Sequence, residues 1–281
     1  MNFEIIVNDY LLAWYLLYGA SLSKEIDKLR KNLYSKYRQE YSFCYKDKNE
    51  IIKYGKDFIP DNDLLYNEIF NSELYNTLKK ETNKHKMHLI KILDNDKVIK
   101  KCVKEVLKMN LKDKYYVYVI HPRMEIVEFN NQFDSVIWGS DKDKYDVLTI
   151  LTLTITKGII TFDNKNSDIV NSVIELALIN EMGKIVNKPD AYMEGDSTLK
   201  IIKRQIYPFW LMYLGYNTKE DILERMLEDK IGFDIENYPI DKNMKKLNLE
   251  EFIEFCIKNS KHILKFTNVL EIERKDEIEI I

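Results

Sequence analysis

The sequence predicts an α+β fold, predominantly helical with a small antiparallel sheet. Apolar residues recur at helical i, i+3, i+4 spacing over the first hundred residues and again from about residue 167 onward. Between them, residues 115–139 hold short β-branched and aromatic runs. The chain has 281 residues, 45% of them hydrophobic, with only five prolines and eight glycines, so it can bury a large core with few breaks. The expected organisation is one compact unit in three parts: helical 1–112, sheet and core helices 113–215, and helical 216–281.

In the first part, Tyr10, Trp14 and Leu17 share one helical face and Ile26, Leu29 and Leu33 another. Val98, Cys102, Val103, Val106 and Leu107 repeat the pattern. These stripes read as core. Tyr115–Ile120 and Met124–Phe129 then read as strands joined by His121-Pro122-Arg123, with a short third run at Ser135–Gly139, which predicts the antiparallel sheet. Leu151, Leu153 and Ile155 alternate with Thr152, Thr154 and Thr156, a strand-like period, but Asp141 or Asp143 can cap a helix here and the helical reading is preferred.

Ser167 and Asp168 cap a helix to about Val186, ahead of Pro189. The next runs from about Thr198 to Leu214, closes at Gly215 and should kink at Pro208. Thr218 followed by Asp221 starts a helix to about Lys230, and Leu249–Leu264 makes another, with Phe252, Ile253, Cys256 and Ile257 inward. Val269–Ile281 alternates like an exposed strand.

Cys44, Cys102 and Cys256 are an odd, widely spaced set that suits neither a disulfide framework nor a thiolate zinc site, so reduced buried thiols in a cytoplasm are the simplest reading. The apolar run Tyr10–Ala20 is too short to span a bilayer, and Asn8-Asp9 stands where an export signal wants a cation. No membrane segment is expected. Net charge is −3, unevenly spread: residues 1–120 carry 22 Lys/Arg against 17 Asp/Glu, the remainder 21 against 29. Two helical faces solvated by opposite charges explain the split more simply than a docking face.

Zinc peptidases of the zincin type hold their metal with two histidines four residues apart on one helical turn. The glutamate after the first activates water, and a third ligand comes from a following helix. The segment Ser135–Gly158 (SVIWGSDKDKYDVLTILTLTITKG) resembles the zincin edge strand and active-site helix, and Asp168–Gly183 (DIVNSVIELALINEMG) resembles the second helix of the glutamate-ligand zincins. The resemblance covers roughly residues 115–215 and implies a zincin-like two-helix core. In this register Leu153, Thr154 and Lys157 stand at the first histidine, the glutamate and the second histidine of HExxH. Glu175, 18 positions beyond Lys157, stands at the third ligand.

A second register places Asn180-Glu181-Met182-Gly183-Lys184 on the motif, retaining the glutamate but neither histidine. No third-ligand helix follows it, though Glu194 and Asp196 are nearby, and the first register is preferred. Either way no conventional zinc site forms, and a lysine at a ligand position repels a cation. The resemblance therefore implies a non-catalytic, pseudo-metallopeptidase protein without cofactor or metal, whose cleft binds or scaffolds a protein or peptide partner.

An enzyme of unrecognised chemistry using Glu175, Glu181 or Lys184 is one alternative. Another is a nucleic-acid or acidic-partner binding protein using residues 79–114, which hold 12 lysines against five acidic residues but little aromatic interleaving. His85 and His88, among lysines, read as a solvated helix face, and His121 as a turn residue. The aromatic stretch Tyr207–Tyr213 reads as core. No GxSxG, Walker or dinucleotide-binding glycine pattern occurs.

Overall fold

The computed structural model describes residues 2–20, 22–93, 97–141, 144–160, 164–186, 195–229 and 240–264. Asp143, Pro189, Glu194 and the strand expected at 269–281 lie outside the described residues. The fold is α+β and predominantly helical, and the chain divides into two compact units: Met1–Asp96 with Lys112–Gly158, and Lys97–Leu111 with Ile159–Ile281.

The first unit holds a four-stranded sheet of β1 (Asn2–Ile6), β2 (Lys114–Val119), β3 (Ile126–Asn130) and β4 (Ser135–Gly139), in the order β1-β2-β4-β3. The sheet is mixed and not antiparallel as expected: β1 and β4 both run parallel to β2, and only β3 pairs antiparallel, with β4. The expected 115–129 hairpin does not form, because a 3-10 turn at Pro122–Met124 and a left-handed Glu125 (φ 51°) carry the chain away from the edge of β2. β4 takes that edge, and Asp134 (φ 48°) turns β3 into it. Strands buried on both faces read as continuous apolar runs. Val117–Ile120 and Val136–Trp138 are such runs, and all are buried.

The first unit's described helices between β1 and β2 are α1 (Asp9–Tyr18), α2 (Lys24–Lys36), α3 (Arg38–Cys44), α4 (Asp47–Tyr54), α5 (Leu64–Phe70) and α6 (Glu73–Leu93), the last packing on β1 and β2. Asn8 joins sheet to helices. Its side chain accepts from Leu11 N–H at 3.0 Å, capping α1, and donates to the Gly55 carbonyl at 2.7 Å. Residues 151–156 are helical within α8 (Lys144–Ile159). Val147, Leu148, Leu151 and Ile155 form its buried stripe, and the buried Thr152 hydroxyl donates to the Leu148 carbonyl at 2.9 Å, which removes the cost of placing a threonine there.

The second unit begins with α7 (Lys97–Cys102), which continues as a π-helical turn over Val103–Leu107. The helix expected from Ser167 is observed as one run of three geometries: α9 (Ser167–Glu175), a π-helical segment Leu176–Met182, and α10 (Gly183–Val186). α11 (Lys200–Leu214) passes through Pro208 and ends at Gly215, whose φ of +107° permits the closing bonds of Gly215 and Tyr216 N–H to the Leu211 carbonyl. α12 (Lys219–Asp229) is capped by Thr218, and α13 (Leu249–Lys258) by an Asn248/Glu251 box. α14 (Ser260–Ile263) follows. Trp210, Tyr213 and Phe252 stack in the core with centroids 4.9–5.7 Å apart, so the aromatic stretch of α11 is buried as expected.

Candidate functional site

The residues of the first register divide between the units. On α8, Leu153 and Thr154 are half-buried and Lys157 is exposed. Glu175, at the end of α9 in the second unit, is buried with its carboxylate occupied. Its Oε2 lies 2.9 Å from Lys203 Nζ and accepts the Asp196 N–H at 3.1 Å. Gly195, at φ +67°, makes that approach possible, since a Cβ there would lie 2.5 Å from the same oxygen. The side chain of Asp196, an acid near the second register in sequence, caps the turn at Thr198 by accepting its N–H at 2.9 Å.

The second register lies wholly within the second unit, at the junction of the π-helical segment with α10. π-Helical geometry is uncommon and frequently marks functional positions. Asn180 and Lys184 are buried, as i and i+4 spacing on one face allows. Lys184 Nζ lies 2.5 Å from Asp229 Oδ1 and 4.0 Å from Glu181 Oε1. From α12, Arg225 Nε lies 2.8 Å from Asp229 Oδ2, and its second nitrogen 3.6 Å from Glu181. The Tyr207 hydroxyl donates to the same Oδ2 of Asp229.

Two carboxylates and two cations thus face one another in the interior, and their formal charges cancel. The balance within the group is unequal. Burial disfavours the charged form of Asp229, but the Lys184, Tyr207 and Arg225 partners outweigh it and hold the carboxyl below its ordinary value. Glu181 goes the other way. Burial pushes its carboxyl up, the cations compensate only in part, and Asp229 adds repulsion. Glu181 Oε1 and the neighbouring Trp210 Nε1 are buried without a well-formed hydrogen bond among the described residues, although the indole N–H lies close enough to the carboxyl to lower it in part. Burial, with Glu181 nearby, also raises the Cys102 thiol to about 12, so it stays protonated.

A cavity of about 510 Å³ opens beside this network, bordered by Tyr216, Asn217, Asp221, Glu224, Arg225 and Glu228. Arg225 lines it and also bonds the buried acids, so it is the network's link to solvent.

A zinc ion does not fit these residues. A metal between Glu181 and Asp229 would add two positive charges to a group whose acids are already neutralised, with Lys184 on Asp229 itself. At Glu175 it would compete with Lys203. Among the described residues no group of three or more His, Cys, Asp or Glu side chains is placed to hold a metal.

Sequence reasoning missed Lys203, Tyr207, Arg225 and Asp229. Lys203, Tyr207 and Trp210 share one helical face, and Ile222, Met226 and Asp229 another, so a charge inside an apolar stripe was the available signal. Of the histidines, His88 is exposed and His121 is a turn residue as expected, its Nδ1 accepting the Arg123 N–H to cap Pro122–Met124, though it is buried with Nε2 2.8 Å from Glu81; His85 differs from expectation and is buried on the inner face of α6. The Lys79–Lys114 stretch is split, its α6 portion in the first unit and 97–111 in the second. All three cysteines are buried and free. No helix among the described residues is long and apolar enough to cross a membrane.

Comparisons with protein-family models, with curated proteins and with solved structures find no match for this chain.

Proposed function

We propose that the chain is a non-catalytic, zincin-like protein that binds or scaffolds a protein or peptide partner. One observation carries the reading: in each register the acidic residue's neighbourhood is neutralised by a lysine, Lys203 on Glu175 and Lys184 on the Glu181–Asp229 pair. The protein's own ammonium groups thereby take the electrostatic role that a metal has in an active zincin. The cavity beside Arg225 is the surface to which the partner is assigned, as its mixed acidic and cationic border suits a polar peptide segment.

Metal analysis of protein purified without chelator and then dialysed against zinc is the test. The expected result is no stoichiometric zinc in the wild type. One zinc per chain, lost on Glu175→Ala or Glu181→Ala, would overturn the proposal.

The second reading, an enzyme using Glu181, draws on its burial beside Arg225 and its raised pKa, since a carboxyl shifted upward stays protonated to higher pH and can act as a proton donor there. Turnover of a peptide library, abolished by Glu181→Gln in a folded variant, would favour it.

A further inference from the structure

The first unit carries a surface feature unrelated to that network. From Lys28 to Lys48 the chain has seven Lys and Arg against two acidic residues, with five aromatic residues interleaved. α2, α3 and α4 fold this stretch into a seam of rings. Centroids follow one another from Tyr34 to Tyr41 at 5.5 Å, Tyr41 to Tyr18 at 4.9 Å, Tyr18 to Tyr45 at 5.3 Å and Tyr45 to Trp14 at 5.9 Å. The inner rings are buried or half-buried. At the outer edge Phe43 is 64% exposed, Tyr45 61% and Tyr34 44%.

Large apolar side chains exposed to that degree, side by side in sequence, mark a contact surface more often than isolated exposed residues do. The charges around them are mainly cationic: Lys36 is paired with Glu68 at 3.0 Å, Arg30 with Asp27 at 4.0 Å and Lys48 with Glu128 at 2.7 Å, which leaves Lys28, Lys31, Arg38 and Lys46 as the cations that carry the argument. Lys28, Lys31, Lys36, Arg38 and Lys46 are exposed, and the Arg38 guanidinium lies 5.8 Å from the Tyr34 ring centre. Both acids of the 28–48 stretch are half-buried, and Asp47 accepts from the Tyr66 hydroxyl at 2.9 Å. Cations interleaved with exposed rings are what a polyanion with free aromatic faces requires. A lipid surface would seat exposed rings beside cations at the headgroup level, and the vesicle measurement below separates that ligand from a nucleic acid; an acidic peptide offers no stacked π-faces.

We infer that the α2–α4 face binds single-stranded nucleic acid, with bases stacking on Phe43, Tyr45 and Tyr34 and phosphates against Arg38, Lys46 and Lys31. A duplex keeps its bases stacked on one another, so it gains only the phosphate contacts. The surface is separate from the lysine-neutralised network, and the proposal stands or falls independently of it.

Fluorescence anisotropy with a short labelled oligouridylate, the matching oligothymidylate, and a duplex of equal length tests it on the full chain. Single strands should bind more tightly than the duplex, with affinity falling steeply as salt rises. The two single strands distinguish RNA from DNA as the ligand, and binding of either supports the inference. Phe43→Ala and Tyr45→Ala should each weaken binding about 5-fold or more; the unfolding midpoint should be unchanged in Phe43→Ala and should fall slightly in Tyr45→Ala, which gives up ring contacts with Tyr18 and Trp14. Arg38→Gln and Lys46→Gln should each lower the salt slope by about one.

No binding of either strand at low salt overturns the inference. So does binding indifferent to Phe43→Ala and Tyr45→Ala together. Capture by anionic phosphatidylserine vesicles or self-association through this face, without oligonucleotide binding, overturns it in favour of a different partner.

Discussion

Replacing Lys203 with methionine tests whether the buried Glu175–Lys203 pair behaves as the geometry demands. The two charges lie 2.9 Å apart, with side chains 1% and 8% exposed. At an effective dielectric of 20 their gross attraction is about 6 kcal/mol. Most of that offsets the desolvation of both ions, so the net value of the intact pair is small.

The single substitution has a different cost, because it leaves the Glu175 carboxylate buried with the Asp196 N–H but without its ammonium. Such stranded charges cost about 3–5 kcal/mol, a large part of the 5–15 kcal/mol that typically holds a domain folded. In Lys203→Met/Glu175→Leu neither charge remains, and the loss should shrink to about 1–2 kcal/mol, mainly the Asp196 N–H left without its acceptor. Urea unfolding of wild type, both singles and the double, followed by circular dichroism, gives the coupling directly. A cost below about 1 kcal/mol for Lys203→Met would place the pair in the solvent-screened regime of surface ion pairs. A double variant as unstable as the sum of the singles would show that the two residues do not act on each other. Either result refutes the argument.

The first unit offers two further tests. Burial holds His85 below its ordinary pKa of 6.5, against the pull of Asp141 and with His88 and His121 adding repulsion. Its neutral form is therefore favoured in the fold, and the stability it contributes is complete above the unfolded value of 6.5 and declines as pH falls toward the lower folded value. The decline should approach, without exceeding, about 1.4 kcal/mol per pH unit, and His85→Gln should flatten it. Unfolding measured from about pH 7.5 to 5.5 checks this, and equal slopes in the two proteins would contradict it. At Gly158 an added Cβ would overlap the Phe129 ring, so Gly158→Ala should cost about 1–3 kcal/mol in thermal or urea unfolding, with partial recovery in Gly158→Ala/Phe129→Leu. An unchanged midpoint would show that α8 does not pack on β3 as closely as described.

The second unit's helices were legible because their stop and start signals act locally. Gly215 ends α11 through its own backbone angle, and Thr218 starts α12 through a bond three residues on, so neither depends on distant chain. Sheet topology depends on partners, and those were not legible. β1 pairs with β2 across more than a hundred residues, and nothing within Asn2–Ile6 or Lys114–Val119 names the other strand. The runs at 115–120 and 124–129 carried the strand signal, but proximity in sequence suggested a hairpin that β4 prevents by taking the shared edge. At 151–156, alternation was a weaker determinant than burial of a helical stripe with a back-bonded threonine. The buried ions were hidden for a related reason. Lys203 and Asp229 belong to residue types that ordinarily mark a solvated surface, and only their position within apolar stripes distinguishes them.

On the proposed zincin-like reading, the lysines at these acids also explain why a site without histidines need not leave a cavity or an unfolded core. A zinc site holds buried carboxylates in place with a divalent ion, and removing the ion alone would leave mutually repelling charges in a medium that solvates them poorly. A covalently attached ammonium removes that instability at no cost in ligand binding, but it contributes a single charge on a flexible chain. One carboxylate, Glu175, is served by one lysine. The Glu181–Asp229 pair needs two cations, and it has Lys184 and Arg225. Lys184 lies 2.5 Å from Asp229 but 4.0 Å from Glu181, so it helps outweigh burial at 229 and leaves burial dominant at 181. Asp229 is therefore the anchor of the network, and Glu181, the more weakly neutralised acid, is the member whose charge is most easily changed by whatever contacts Arg225 from the cavity.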